Sequence, residues 1–257
     1  MEKLAIWSEA ATVRFAAVDG SDTMTLSAAL ALFQEVAVSH AENIGVGREA
    51  MARAGQVWLL SRMSVQVERR PRYGETVTVR TWPRCWERLF AVRDFDVLDS
   101  RGERLIGGRS CWFIIDIDKR RPVRPETVME GIPLTATDAL PFIPAALGER
   151  PAMTAVAQAR AQYNDLDYNG HVNNVSYVRW IENALERGLP ERALRSRLDI
   201  NYMNEVLPDE TIALFSGGIE PEAATHPAAP PSFAGAFEGR KAEGGQTAFR
   251  AELRLWT

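Results

Sequence analysis

Cysteine is nearly absent from the 257-residue chain: Cys85 and Cys111 are the only two. Two thiols can build neither a disulfide framework nor a four-ligand metal cluster, and they fit a reducing compartment. Long apolar runs are also missing. The unbroken stretch Ala28–Phe33 falls far short of the roughly 20 residues that a membrane-crossing helix needs. The opening residues, MEKLAIWSEAATVRF, lack the apolar core and cleavage site of a secretory signal. Neither sign of charge is in excess. With 30 basic and 34 acidic residues the net charge is −4, which points to neither nucleic acid nor an anionic membrane as a partner. No phosphate-cradling glycine loop or zinc-ligand spacing occurs, so no cofactor and no metal is implied. These absences together predict a cytoplasmic protein.

What is present is an ordinary globular composition, 46% hydrophobic and 25% charged, at a length that suits one large domain or two of about 130 residues. Proline marks the division. Six of the fourteen prolines fall in Pro122–Pro151, where no periodicity is sustained. Proline lacks an amide donor and drives its predecessor towards extended forms, so 122–153 reads as a linker. A second such stretch, 220–232, reads as a surface loop.

The same order of elements stands on both sides of the linker. Residues 26–39 are apolar nearly all round, as a buried helix is. Segments alternating with period two follow at 63–67, 75–82, 88–98 and 104–116. In the second part NNVSYVRWIENAL (173–185) is helical, and strand patterns follow at 197–205, 210–218, 232–240 and 247–257. A helix followed by antiparallel strands, twice, predicts an α+β fold with each helix wrapped by sheet. Repeat units are expected at 1–121 and 154–257. Aligning Glu35 with Glu182 gives a helix offset of 147, and GETV (74–77) with DETI (209–212) a strand offset of 135.

The chemistry concentrates in DLDYNGHVNNVSYVRWIENAL, residues 165–185. If 165–171 runs extended, Asp167, Asn169 and His171 point to one side. Asn173 or Asn174 then caps the helix. The first-turn amides have no partners of their own and carry partial positive charge, so a carbonyl held there finds donors for an oxyanion. Each feature has a plain reading as well: Asn-Gly makes turns, paired asparagines cap helices, and a histidine commonly serves as a structural hydrogen-bonder. Their conjunction around His171, one of three histidines, favours a site.

The run NGHVNNVSYVRWIE closely resembles the Asn-x-His-Val-Asn-Asn-x-x-Tyr-x-x-Trp signature of acyl-ACP thioesterases. LFQEVAVSHAENIGVG, VWLLSRMSVQVERRPRYGETVTVRTW and SCWFIIDIDKRRPVR resemble that family's N-terminal half. A short form of the motif also occurs in single-hotdog acyl-CoA thioesterases. The resemblance implies a double hotdog fold, hydrolysis of fatty acyl thioesters, and acyl carrier protein as partner, in a monomer or homodimer. It places the catalytic set on Asp167, Asn169, His171 and Glu205, with Asn173 and Asn174 at the helix start. Several plant members carry a cysteine after the glutamate. Val206 stands there in this chain and cannot attack a thioester.

The resemblance also puts the acyl pocket in the first half, where Trp58, Met63 and Phe90 are candidates to line it or to pack the core. Arg69, Arg70, Arg72, Lys119, Arg120, Arg121 and Arg124 could dock an acidic carrier or simply be solvated. The offsets give Gly20, Asp22, Met24 and Arg70 as first-half counterparts of the catalytic set, so one site per chain is expected. Two other readings remain at this point: an acyl-CoA thioesterase, and a non-catalytic hotdog that binds acyl thioesters.

Overall fold

The computed structural model describes residues 2–185, 195–219 and 231–256. The loop expected at 220–232 lies outside them except for its last two residues, as does His226. The elements run β1 (Trp7–Thr12), α1 (Leu26–Ile44), α2 (Arg48–Arg53), β2 (Gln56–Val67), β3 (Thr76–Glu87), β4 (Phe90–Leu98), β5 (Arg104–Asp116), β6 (Arg121–Val123) and α3 (Pro125–Met129). The second part contributes β7 (Thr154–Arg160), α4 (Asn174–Ala184), β8 (Arg195–Tyr202), β9 (Thr211–Gly218), β10 (Phe233–Lys241) and β11 (Thr247–Trp256).

Ten strands form one antiparallel sheet in the order β1-β3-β4-β5-β2-β8-β11-β10-β9-β7, and β6 pairs with β5. The order reads outward from the centre as the same sequence of strands on both sides, so the two halves are related by a repeat. They meet where β2 pairs with β8, Val65 opposite Leu198 and Met63 opposite Ile200. Across this seam the buried Ser64 hydroxyl donates to Asp199 at 2.5 Å. This is the α+β double hotdog architecture. The sequence reading missed the strand that precedes each helix, β1 and β7, both at sheet edges.

α1 starts where Thr25 Oγ1 accepts the Ala28 amide and ends at Gly45, φ +82°, a backbone conformation that favours glycine. Its apolar side lies on the sheet, with the Phe33 ring 4.7 Å from that of Phe95. A Cβ at Gly108 would come within 2.6 Å of the Phe33 ring, so the close approach of helix to sheet requires glycine there. α1 and α4 pack against each other, and one continuous core joins both halves. A second core, Ile44, Val46, Met51, Ile114, Met129 and Ile132 among its members, fills the far end of the first half.

Residues 122–153 are not a free linker. After α3 the chain crosses the outer face of the sheet as a strap. Trp82 Nε1 donates to Thr137 O at 2.9 Å, and Asp94 accepts the Ala139 amide at 2.8 Å. Arg109 donates to Phe142 O at 3.0 Å, and the Leu147 amide donates to Asn201 at 2.7 Å, beyond the seam. Irregular backbone needs such partners when it lies on a buried surface. Among the described residues no helix is long and apolar enough to cross a membrane.

Candidate active site

The segment before α4 is not extended. A 3-10 turn over Tyr163–Asp165 leads into a loop whose ends, Leu166 and Val172, form a β-bridge. The Asp167 amide donates to His171 O at 2.8 Å and the Gly170 amide to Asp167 O at 3.0 Å. Gly170 turns the chain at φ +78°. Local hydrogen bonding wins over the extended form because Asp167 accepts the amide two residues on: Asn169 N donates to Oδ1 at 2.8 Å, the standard aspartate-led turn. The alternate-residue argument for a shared face therefore fails.

That turn sets the three side chains. Asp167 holds Asn169 by a second bond, Nδ2 to Oδ2 at 3.3 Å. His171 points at the second half's next loop, where its Nδ1 is 3.4 Å from Glu205 Oε2. Glu205 lies past the end of β8 rather than on the strand, because the Met203 and Asn204 amides both turn to Ala248 O. The histidine is 40% exposed and the glutamate 61%, so water reaches both.

Val206 ties these pieces together. Its carbonyl accepts the Val172 amide at 2.9 Å, and its backbone lies close to the Tyr177 hydroxyl. Its side chain is fully buried. Burial pushes the Tyr177 phenol up, with Asp167 and Glu205 adding to the shift. Tyr177 packs edge-on against Tyr202 and Phe249, and Tyr202 Oη donates to Asn174 O at 3.2 Å. This aromatic floor under the start of α4 was not read from sequence, although Tyr177 stands in the motif.

At that start Asn173 is the N-cap. Its Oδ1 accepts the Val175 amide at 2.9 Å, and its carbonyl accepts the Ser176 amide at 2.9 Å. The Asn174 amide has no partner among the described residues. The segment thus offers an open donor at the positive end of an eleven-residue helix, a histidine–carboxylate pair and a carboxamide held by Asp167. Such a set can bind an oxyanion and take a proton from water.

The first half carries the same loop with different side chains. The bridge Val18–Met24 corresponds to Leu166–Val172, and the N-caps Thr25 and Asn173 stand 148 positions apart. The helix offset is therefore 148, not 147, because the alignment on Glu35 was one residue out. The counterparts of Asp167, Asn169 and His171 are Asp19, Ser21 and Thr23, not Gly20, Asp22 and Met24. Arg70 remains the counterpart of Glu205, since the Met24 amide donates to Pro71 O as that of Val172 does to Val206 O. Arg70 is buried and bonds Asp19 Oδ2 at 2.7 Å and Ser21 Oγ at 3.2 Å.

Other candidates divide. Trp58 packs on the second core, with Nε1 donating to Val46 O at 2.9 Å, and Met63 lies in the main core. Phe90 faces the outer side of the sheet, against Phe113 and the Arg62 guanidinium that reaches the strap at Pro144 O. Of the basic residues, Arg70 is buried, Arg69 is held by Glu75 and Lys119 by Asp116. Arg72, Arg120, Arg121 and Arg124 are exposed.

Comparison with known proteins gives the family. The family model for the acyl-ACP thioesterase N-terminal domain matches residues 5–131, and that for the C-terminal domain residues 148–243. The chain is 26% identical over 226 residues to oleoyl-acyl carrier protein thioesterase 1, chloroplastic, of Arabidopsis thaliana, covering 80% of this chain. It spans only 62% of that protein's length. The crystal structure of an acyl-ACP thioesterase from Bacteroides thetaiotaomicron superposes with a TM-score of 0.79 at 22% identity, covering 98% of each chain. The 12:0-ACP thioesterase from Umbellularia californica gives 0.79 at 23%, covering 98% of this chain and 97% of its own. With both domain models matched in order along one chain, the protein belongs to the acyl-ACP thioesterase family.

Proposed function

We propose that the chain hydrolyses the thioester of a fatty acyl group borne on acyl carrier protein, releasing the free fatty acid and ending its elongation. The observation that supports this most is the approach of His171 to Glu205 at 3.4 Å beside the open start of α4. The His171–Glu205 pair takes a proton from water as the water oxygen attacks the thioester carbon. Asn169, held by Asp167, and the Asn174 amide, set by the Asn173 cap, donate to the carbonyl oxygen as it becomes an oxyanion. Collapse of the tetrahedral intermediate breaks the C–S bond, and the proton returns to the departing thiolate. A thiolate is a good leaving group, so the demand on the protein falls on water activation and oxyanion binding.

In this reading the first repeat, residues 1–121, is the acyl-binding half, and residues 154–257 carry the chemistry. The exposed Arg72, Arg120, Arg121 and Arg124 suit an acidic carrier. The test is steady-state hydrolysis over acyl-ACPs and acyl-CoAs of graded chain length. We expect turnover with kcat/KM higher on the carrier-protein thioesters. Equal or faster turnover of the CoA thioesters removes the carrier assignment, and absence of hydrolysis with binding retained leaves a thioester-binding module.

A further inference from the structure

The starts of the two long helices differ in one respect. At α1 every first-turn amide is occupied. Glu182, which comes from α4, accepts the Leu26 amide at 2.7 Å and the Ser27 amide at 3.3 Å. Thr25 takes the amide of Ala28 at 3.1 Å. The Glu182 carboxylate thus sits where an oxyanion would bind, at the positive end of the helix. Burial pushes its pKa up, opposed first by the Ser27 hydroxyl, then by the amides of Leu26 and Ser27 and by the Arg70 guanidinium. At α4 the first amide, that of Asn174, has no partner among the described residues.

The repeat identifies what stands opposite that open amide. Glu182 lies near the C-terminal end of α4 and reaches the start of α1, so the packed helices run antiparallel. The face of α4 that carries Val175, Val178 and Glu182 corresponds, at the offset of 148, to Ser27, Leu30 and Gln34 of α1. Val175, Val178, Ser27 and Leu30 are buried and Gln34 is half-buried. Symmetry then puts Gln34 at the start of α4 as Glu182 is put at the start of α1. A carboxylate closes a helix start, because it accepts from the amides and excludes a second anion. A carboxamide brings an N–H donor and no charge.

We propose that Gln34, supplied by the first repeat, completes the thioester-oxygen site of the second, its Nε2 donating to the oxyanion beside the Asn174 amide. The active site is therefore built from both halves. Glu182 in the same position blocks the counterpart site. This deepens the hydrolase reading given above and rests on it for the identity of the ligand.

Two measurements on the full chain separate the proposal from that reading. The first needs no activity: the Asn174 amide proton is followed by NMR in wild type and Gln34→Glu. A carboxylate at position 34 is expected to accept that proton, moving it downfield and slowing its exchange. An unmoved Asn174 amide in a folded Gln34→Glu variant overturns the proposal whether or not the protein hydrolyses thioesters. The second is kinetic. Gln34→Met should lower kcat on acyl-ACP by about 10²–10³-fold, the usual loss for one oxyanion donor, with KM within about twofold. Its Ki for an acyl trifluoromethyl ketone, which presents a tetrahedral oxyanion, should rise in step, while that for the inert thioether should not. Glu182→Gln should leave kcat within about twofold. Wild-type kcat in Gln34→Met, or equal weakening of ketone and thioether, overturns the role of Gln34. Absent hydrolysis in wild type strikes the hydrolase reading instead.

Discussion

At the scale of single residues, His171 and Glu205 are one unit, joined across two loops at 3.4 Å. Replacing either with alanine should lower kcat by about 10²–10⁴-fold with the thermal midpoint within a few degrees, both being partly exposed. Near-wild-type turnover in a folded variant takes that residue out of the mechanism. The thiols should be dispensable. Burial pushes the Cys111 thiol up to about 12 and raises that of Cys85, which keeps both protonated and unreactive. A Cys85→Ala/Cys111→Ala double variant should keep full activity, and wild type should resist iodoacetamide while folded. His40 is a pH-sensitive residue of a different kind. Its Nε2 donates to Leu4 O at 2.9 Å and its Nδ1 accepts from the Arg93 guanidinium at 3.1 Å, so only the neutral ring fits. Burial, with Arg93 adding, lowers its pKa to about 4. The unfolded chain binds this proton near pH 6.5, so stability is lost as pH falls from about 6.5 and levels off below about 4. The shift corresponds to about 3 kcal/mol. Urea unfolding of wild type and His40→Gln across that window should show a flatter pH slope in the variant, and parallel slopes refute it.

At the scale of elements, the strap across the outer face is anchored at one ion cluster as well as by single hydrogen bonds. Arg109 bonds both oxygens of Asp94 at 2.6 Å and Asp138 at 2.5 Å, and Asp94 is wholly buried. Arg109→Leu leaves the Asp94 charge without its partner and should cost about 3–5 kcal/mol. Arg53→Ala, which removes an exposed pair with Glu49, should cost under about 0.5 kcal/mol. Chemical denaturation of the two variants compares them directly, and equal losses would mean that the strap is not held there. Sequence could not show this cluster, because a proline-rich run without periodicity says only that helix and ladder are absent. The helices and inner strands were legible for the opposite reason. β4 and β5 alternate between helix-facing and strap-facing side chains, and α1 is apolar enough to be read as buried, though it runs five residues further than its periodicity implied. β1 and β7 were not, since small and polar residues at half-exposed edges leave little period-two pattern. In the site, His171 lies beside Glu205 and Asn169 beside Asp167, while the extended segment that was to align them is a closed turn. The join of His171 to Glu205 was reachable only through the family resemblance, being a contact between loops 34 positions apart.

At the scale of the whole molecule, two repeats share one sheet and one core, yet one start of a helix is open and the other is filled. The chain should therefore bind one acyl thioester. In the first half Arg70 replaces the glutamate, and a guanidinium stays protonated and cannot activate water. Thr23 replaces the histidine, and its Oγ1 is 2.8 Å from Ser21 Oγ, within a cluster that Asp19 and Arg70 already satisfy. Glu182 fills the start of α1 with a carboxylate, so a thioester oxygen or an oxyanion would meet a negative charge in place of donors. Opening that site would require moving Glu182, which bridges the two halves, and breaking the Arg70–Asp19 pair. Duplication with loss of chemistry in one copy leaves this pattern: the loop backbone survives bond for bond, and the side chains that served the ligand now serve each other. Isothermal titration with a non-hydrolysable acyl thioether should give a stoichiometry of one per chain. Glu182→Gln should leave it at one, because Arg70 and Thr23 still supply no catalytic or binding set. Two ligands per wild-type chain, with the second beside Asp19 and Arg70 in a crystal of the complex, would show that both repeats are functional.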